Sequence, residues 1–405
     1  MTRPSLRFTR ALTAALLLAL TGCDTGSGDH TLVLWHAWGG RELDTLKGLI
    51  TRFEARYPGV EVLPLQVPYD KLRDKFIRSA AANGGPDVVI GDADWSARFA
   101  ASDLATPVDE LFTAAELQRF APGTLDALRY DGRLYALPES RETVALYYNK
   151  DLVATPPGNV EDWFREASIV SANGKGTGFV LKADFYFNMG YYFGAGGRLF
   201  GQDGRVDVAS PAGRDLLSLV SRFARSPGVI VSPEYAKPDA MFKARSAAMI
   251  VNGPWALVDY QAALGDALGV ATLPRLADGR PAASWVGVKC LMFNRNSDPA
   301  HRKLAHDFGA FVTEPESQAQ LAQQAGHIPA VTGYTAREGS PLATFAAQAD
   351  VGTPVSIRPE VAAIWEPMDR AVRKVVQGEA EAPAALEEAN VTIQARIDAM
   401  RKPRP

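Results

Sequence analysis

Seven tryptophans and a set of carboxylates are the residues of this 405-residue chain with the most chemical promise. Trp38 precedes Gly39-Gly40, Asp94-Trp95 follows the apolar run Val88 to Ile90, and Trp255 follows Gly253-Pro254. Such places are ends of elements, where an indole can offer an apolar face and an N–H donor together. Trp35 lies inside a β-rich run and reads as core instead. Carboxylates near exposed indoles can accept from hydroxyl groups, which are costly to bury unpaired. A polyhydroxylated ring with apolar C–H faces is the ligand that this combination suits.

Other chemistries fit less well. Glu139 with Glu142 or Asp184 could form a glycoside-cleaving pair, since two carboxylates about 5–10 Å apart can do that work. Nothing in the sequence sets one acid's pKa against the other's. Trp38-Gly39-Gly40 ahead of a helix could seat a phosphate at the helix start, so a phosphate-bearing ligand is the second reading, and the early Trp35-His36 resembles that of glycerol-phosphate receptors. His30, His36, His301, His306 and His327 are scattered, and there is no zinc-ligand spacing, HExxH, GxSxG or P-loop. No metal and no cofactor is called for.

Composition narrows the class. Hydrophobic residues make up 47% and charged residues 22%, which excludes a disordered chain. The net charge of −3 gives no basic face for nucleic acid. Length suggests two to three domains at about 150 residues each. Only Cys23 and Cys290 are present, so no disulfide framework exists.

The N-terminus reads as an export signal over residues 1–22. Arg3, Arg7 and Arg10 precede the apolar run Ala11 to Leu20, too short for a bilayer span of about 20 residues. Leu20-Thr21-Gly22-Cys23 resembles a bacterial lipobox, which implies cleavage before Cys23 and a lipid on its sulfur. Residues 23–30 would then be the lipidated cysteine and a polar tether, and the mature net charge would be −6. With Cys23 acylated, Cys290 is expected to be a buried free thiol. The expected location is the outer face of the cytoplasmic membrane, in the periplasm or at the cell surface.

Elements that would position the site follow from hydrophobic spacing. Thr31 to Trp35, Val60 to Leu65 and Asp87 to Ile90 read as strands. Between them, Arg41 to Tyr57 and Tyr69 to Ala82 repeat apolar residues every three to four positions, as helices do. This alternation predicts a parallel sheet covered on both faces. Leu134 to Pro138, Val144 to Tyr148 and Ala247 to Val251 are further strands. Helices are expected over Val160 to Ala167, Pro211 to Ala224, Ala240 to Arg245, Leu304 to Val312, Glu314 to Ala325, Glu360 to Gln377 and Pro383 to Arg401. His301 and His306 fall at or near a surface helix. No internal repeat and no linker divides the chain, so two halves joined by several close crossovers are expected.

Several segments, in order, resemble the bacterial extracellular solute-binding proteins of family 1, the sugar receptors of ABC importers of the maltose/maltodextrin type. They are Leu32 to Gly40, Gly85-Pro86-Asp87-Val88-Val89, Leu134 to Pro138, Glu142 to Leu152, Ala248 to Trp255 and Trp285 to Lys289. The resemblance implies an α/β, two-lobed periplasmic-binding-protein (type II) fold with the ligand cleft between lobes. One lobe would hold residues 30–140 and 291–331, the other 141–290 and 332–400. It implies a non-catalytic, monomeric receptor that closes over a carbohydrate and delivers it to the membrane permease. By the same resemblance the ligand contacts would be Trp38, Asp94, Trp95, Glu142, Asp184, Tyr186, Trp255, Trp285 and Trp365. Asp94 and Trp95 are expected in a loop. Trp95 stands where the maltose type has arginine, Gly39-Gly40 stand where it has an acid–lysine pair, and Asp369 stands where it has an arginine.

Overall fold

The computed structural model describes residues 30–120, 122–354 and 356–401. The export signal, Cys23 and nearly all of the tether lie outside those residues. Among the described residues no helix is long and apolar enough to cross a membrane.

The first third of the chain alternates as its spacing predicts. Strands β1 (Thr31–His36), β2 (Glu61–Gln66) and β3 (Val88–Asp92) are separated by helices α1 (Gly40–Arg56) and α2 (Tyr69–Ala81) and followed by α3 (Ala93–Ala101). Helix α1 buries Leu46, Leu49, Ile50 and Phe53, the stripe that a 3.6-residue period puts on one face. β1 pairs in parallel with both β2 and β3.

The later strands are β4 (Leu137–Glu142), β5 (Ala145–Asn149), β6 (Thr177–Lys182), β7 (Val229–Ser232), β8 (Ala247–Asn252), β9 (Leu268–Ala271), β10 (Trp285–Asn294), β11 (Ile328–Pro329) and β12 (Thr353–Pro354). The later helices include α4 (Val160–Ala172), α5 (Pro211–Arg225), α6 (Leu257–Leu264), α7 (Pro299–Val312), α8 (Pro315–Ala325), α9 (Pro341–Asp350), α10 (Trp365–Gln377) and α11 (Ala382–Arg401). Side chains of Asn159, Ser210 and Asp298 accept from the first free N–H groups of α4, α5 and α7 and fix where they start.

Two sheets carry the architecture. The larger runs β11-β4-β10-β3-β1-β2, with β12 and Ala105–Thr106 pairing to β10. The smaller runs β7-β6-β8-β5-β9. Neither is purely parallel, which corrects the expectation: β10 runs antiparallel to β3 and β4, and β5 antiparallel to β8 and β9. The reversed strands are those that carry the chain between sheets. β4 ends at Glu142 and β5 begins at Ala145, so the first crossing takes two residues. β10 brings the chain back from β9, and α9 packs against the smaller sheet after β11 has left the larger one.

Two further expectations are corrected. Leu134 closes a short hairpin with Arg129–Tyr130, and the strand resumes only at Leu137. The helix expected from Glu360 is a 3₁₀ turn over Pro359–Ala363 followed by α10 from Trp365. Pro367 lacks an N–H and is tolerated only in a first turn, so the helix starts just before it. The remaining helices fall within a few residues of their expected ends. Cys290 is fully buried and unpaired.

Candidate ligand-binding site

Most of the expected site residues converge where the two sheets meet. From the larger sheet, β3 ends at Asp92 and leads directly into α3. Asp94 and Trp95 therefore sit in the first turn of a helix, not in a loop. Asp92 makes no side-chain cap to that helix. Its carboxylate instead accepts from the Tyr69 hydroxyl and pairs with Lys289 of β10. Lys289 also lies 3.4 Å from the Glu142 carboxylate at the end of β4.

The smaller sheet supplies the aromatic side. Trp255 follows β8 and its Nε1 donates to the Tyr235 hydroxyl at 3.2 Å. Tyr186 lies 6.4 Å from Trp255 and 6.5 Å from Trp365, ring centre to ring centre. Trp285 meets Trp365 edge-on at 6.0 Å. Across the junction, Trp365 Nε1 donates to Asp94 Oδ2 at 3.1 Å. Two bare glycines allow the indoles to fold back onto their own strands. A Cβ at Gly253 would fall 2.0 Å from the Trp255 ring, and one at Gly91 would fall 2.3 Å from the Trp95 ring.

Burial tunes the acids. It pushes the Asp94 carboxyl up to about 6, with the nearby Asp92 charge adding to the effect. It pushes Glu142 up to about 7 against the opposing pull of Lys289. For Lys289 burial acts to lower the pKa, but the charges of Asp92 and Glu142 prevail and hold the ammonium well above its ordinary range. The group thus holds Asp92, Asp94 and Glu142 around one lysine, and hydroxyl donors suit it better than anions.

Not every expected contact is free to meet a ligand. Asp184 is buried and turned inward, paired with Lys182 at 2.6 Å and accepting from Phe187 N at 3.0 Å, so it organises its own loop. Asp369 does the same for Phe185 N at 2.9 Å. Trp38, Trp95 and Trp285 are buried at 4–5% exposure, whereas Trp255, Trp365 and Tyr186 keep part of their rings open. Trp38 stands apart from that aromatic group, edge-on to His327 at 5.0 Å, with its Nε1 unbonded.

Sequence reasoning missed Tyr69, Asp92, Lys289, Tyr235, Glu42 and His327. Lys289 ended a segment already singled out and Asp92 lay between Ile90 and Asp94, so both were within reach. His327 gave no signal, yet its Nδ1 lies 2.8 Å from Glu139 and its Nε2 3.1 Å from Glu42. That pairing, with the Ser140 hydroxyl also on Glu139, occupies the wholly buried Glu139 and withdraws it from the glycosidase pair. His301 and His306 are half-buried and paired with Asp87 and with Glu116 and Asp307, not free on a surface.

Comparison with known proteins agrees with this geometry. The family model described as bacterial extracellular solute-binding protein matches residues 39–319. The chain is 30% identical to the maltotriose-binding protein of Pyrococcus abyssi (strain GE5 / Orsay), over 75% of this chain and 67% of that protein. It is 26% identical to the maltooligosaccharide ABC transporter solute-binding lipoprotein of Streptococcus pneumoniae serotype 4, over 66% of each. Among solved structures, the maltose/maltodextrin-binding domain of Bdellovibrio bacteriovorus bound to maltotriose superimposes with a TM-score of 0.83 at 27% identity, covering 91% of this chain and all of that one. The chain belongs to the bacterial extracellular solute-binding protein family.

Proposed function

We propose that this protein is the non-catalytic receptor of an ABC importer and binds an oligosaccharide between its two lobes. The observation that carries the reading is the meeting of Tyr186 and Trp255, which follow strands of the smaller sheet, and Trp365 at the start of α10 with Asp94 and Glu142, at or just after strand ends of the larger sheet. Rings stack on the indoles and the phenol, and hydroxyls donate to the carboxylates. Trp95 and Trp285 pack beside that group and brace it, Asp184 fixes the loop that carries Tyr186, and Trp38 stands apart, against His327. The proposed lobes are residues 30–140 with 291–331 and 141–290 with 332–400, so the crossing strands β4 and β10 of the larger sheet both run over the boundary. Relatives named for maltotriose and maltooligosaccharides favour a glucose oligomer.

A phosphorylated ligand is disfavoured by one contact. Asp259 of α6 reaches the start of α1, its Oδ2 3.6 Å from where a Gly40 Cβ would be, and Glu42 lies in the same first turn. Asp259, paired with Lys243, and Glu42, paired with His327, thus place negative charge beside the helix start that a phosphate would need.

The ligand shifts an open–closed equilibrium by its extra affinity for the closed form, and the permease reads that form. Cys23 anchors the mature monomer to the outer face of the cytoplasmic membrane. A thermal-shift panel on the mature protein tests the reading. A ligand at about 100 times its Kd adds about 2.7 kcal/mol of stability. Stabilisation by maltotriose or a longer glucose oligomer supports it; stabilisation by glycerol phosphates alone overturns it.

A further inference from the structure

A second cavity lies at the seam of the two sheets. It is formed by β4, β11, the segment after β11, and α9, and its volume is about 200 Å³. Arg141, Ile328, Thr332, Tyr334, Leu342 and Ala346 are among its walls. Arg141 and Glu142 are consecutive in β4, and successive side chains of a strand point to opposite faces. Glu142 turns to Lys289 and the aromatic group, whereas Arg141, paired in register with Ile328, turns into this cavity.

Beyond its backbone pairing in β4, the guanidinium of Arg141 has no ion-pair or hydrogen-bond partner among the described residues. Many other arginines of the fold are held by a carboxylate or a carbonyl, as Arg119, Arg129 and Arg222 are. A half-buried guanidinium without a partner, in a recess whose wall is apolar on one side, suits an anion: its planar fork matches a carboxylate. Ile328, Leu342 and Ala346 supply an apolar wall that inorganic phosphate would leave uncovered. The volume is below the roughly 300–1,000 Å³ of pockets for drug-sized ligands.

The geometry points to a binding site for a small aliphatic monocarboxylate, its carboxylate on Arg141 and its chain against Ile328, Leu342 and Ala346. α9 belongs to the smaller sheet's layer, where Phe345 packs with Tyr147 and Gln348 accepts from Leu273 N. β4 and β11 belong to the larger sheet. An occupant therefore touches both halves of the molecule, on the opposite face of β4 from Glu142. The site does not depend on what the cleft binds.

Butyrate is the probe, and alanine-methyl NMR of the mature protein is the readout, because Ala330, Ala336 and Ala346 line the cavity. At about 0.7 kcal/mol per non-hydrogen atom, inside the range for small ligands, about six such atoms give a Kd of about 1 mM, so the titration runs to about 20 mM. Saturable shifts of those three methyls with butyrate, absent with 1-butanol and weakened at least about tenfold in Arg141→Gln, are expected. Leu342→Trp, which fills the recess and keeps the arginine, abolishes them as well. Absent shifts, shifts unchanged in both variants, or equal saturation by inorganic phosphate would overturn the assignment.

Discussion

Replacing His327 by glutamine is expected to cost the fold about 3–5 kcal/mol, with a pH signature that identifies the cause. The ring is 3% exposed and sits between Glu139 at 2.8 Å and Glu42 at 3.1 Å. Both carboxylates need a donor, so the ring must be the imidazolium. Burial acts to lower its pKa, but the charges and hydrogen bonds of Glu139 and Glu42 raise it from 6.5 to about 10. At about 1.4 kcal/mol per pH unit, that difference makes the bound proton worth about 5 kcal/mol of stability. The general cost of breaking a buried ion pair, about 3–5 kcal/mol, agrees. The raised pKa makes the contribution complete below about pH 6.5, where the unfolded histidine is also protonated, and it is lost as pH rises through about 10. Between about pH 6 and pH 9 the wild type should lose about 3 kcal/mol that His327→Gln does not lose. Urea unfolding of both proteins at each pH gives the difference, which isolates His327 from other titrating groups. A difference below about 1 kcal/mol, or one flat with pH, would refute the reasoning.

Trp255→Ala should weaken oligosaccharide binding more than tenfold, a loss above about 1.4 kcal/mol, and an unchanged Kd by calorimetry would show that the indole is not a platform. Glu142 accepts from a hydroxyl more strongly when ionised, and its carboxyl is raised to about 7, so affinity should climb from about pH 6 to pH 8; Glu142→Gln should flatten that climb in the same titration. Lys289→Met leaves Asp92 and Glu142 without their cation and should lower unfolding stability by about 3 kcal/mol, partly restored by adding Glu142→Gln. Cys23→Ser should move the protein from the membrane fraction to the soluble fraction, read by fractionation and immunoblot.

Local signals explain which parts of this architecture the sequence disclosed. Helices α1 and α2 and strand β8 were legible because a single apolar face or an unbroken apolar run specifies them without help from distant residues. Trp255 was legible as a tryptophan at an element end because Gly253 and Pro254 frame it. The start of α3 was not, since no cap marks it and Asp92 is drawn away to Tyr69 and Lys289. The mixed sheets were hidden because strand direction depends on where the chain crosses over, which apolar runs do not encode. The charged groups were hidden for the same reason: Lys289 and Asp92 are 197 residues apart, and His327 and Glu42 are 285 apart. Asp184 shows the opposite failure, a correct residue type in a plausible place whose carboxylate the loop itself engages.

Calorimetric titration of the mature wild-type protein with maltotriose, and separately with glycerol 3-phosphate, tests the central claim most directly. The account predicts one saturable site for maltotriose that strengthens from about pH 6 to pH 8, and no heat of binding for glycerol 3-phosphate. Binding of glycerol 3-phosphate with no response to maltotriose or to longer and shorter glucose oligomers would contradict it.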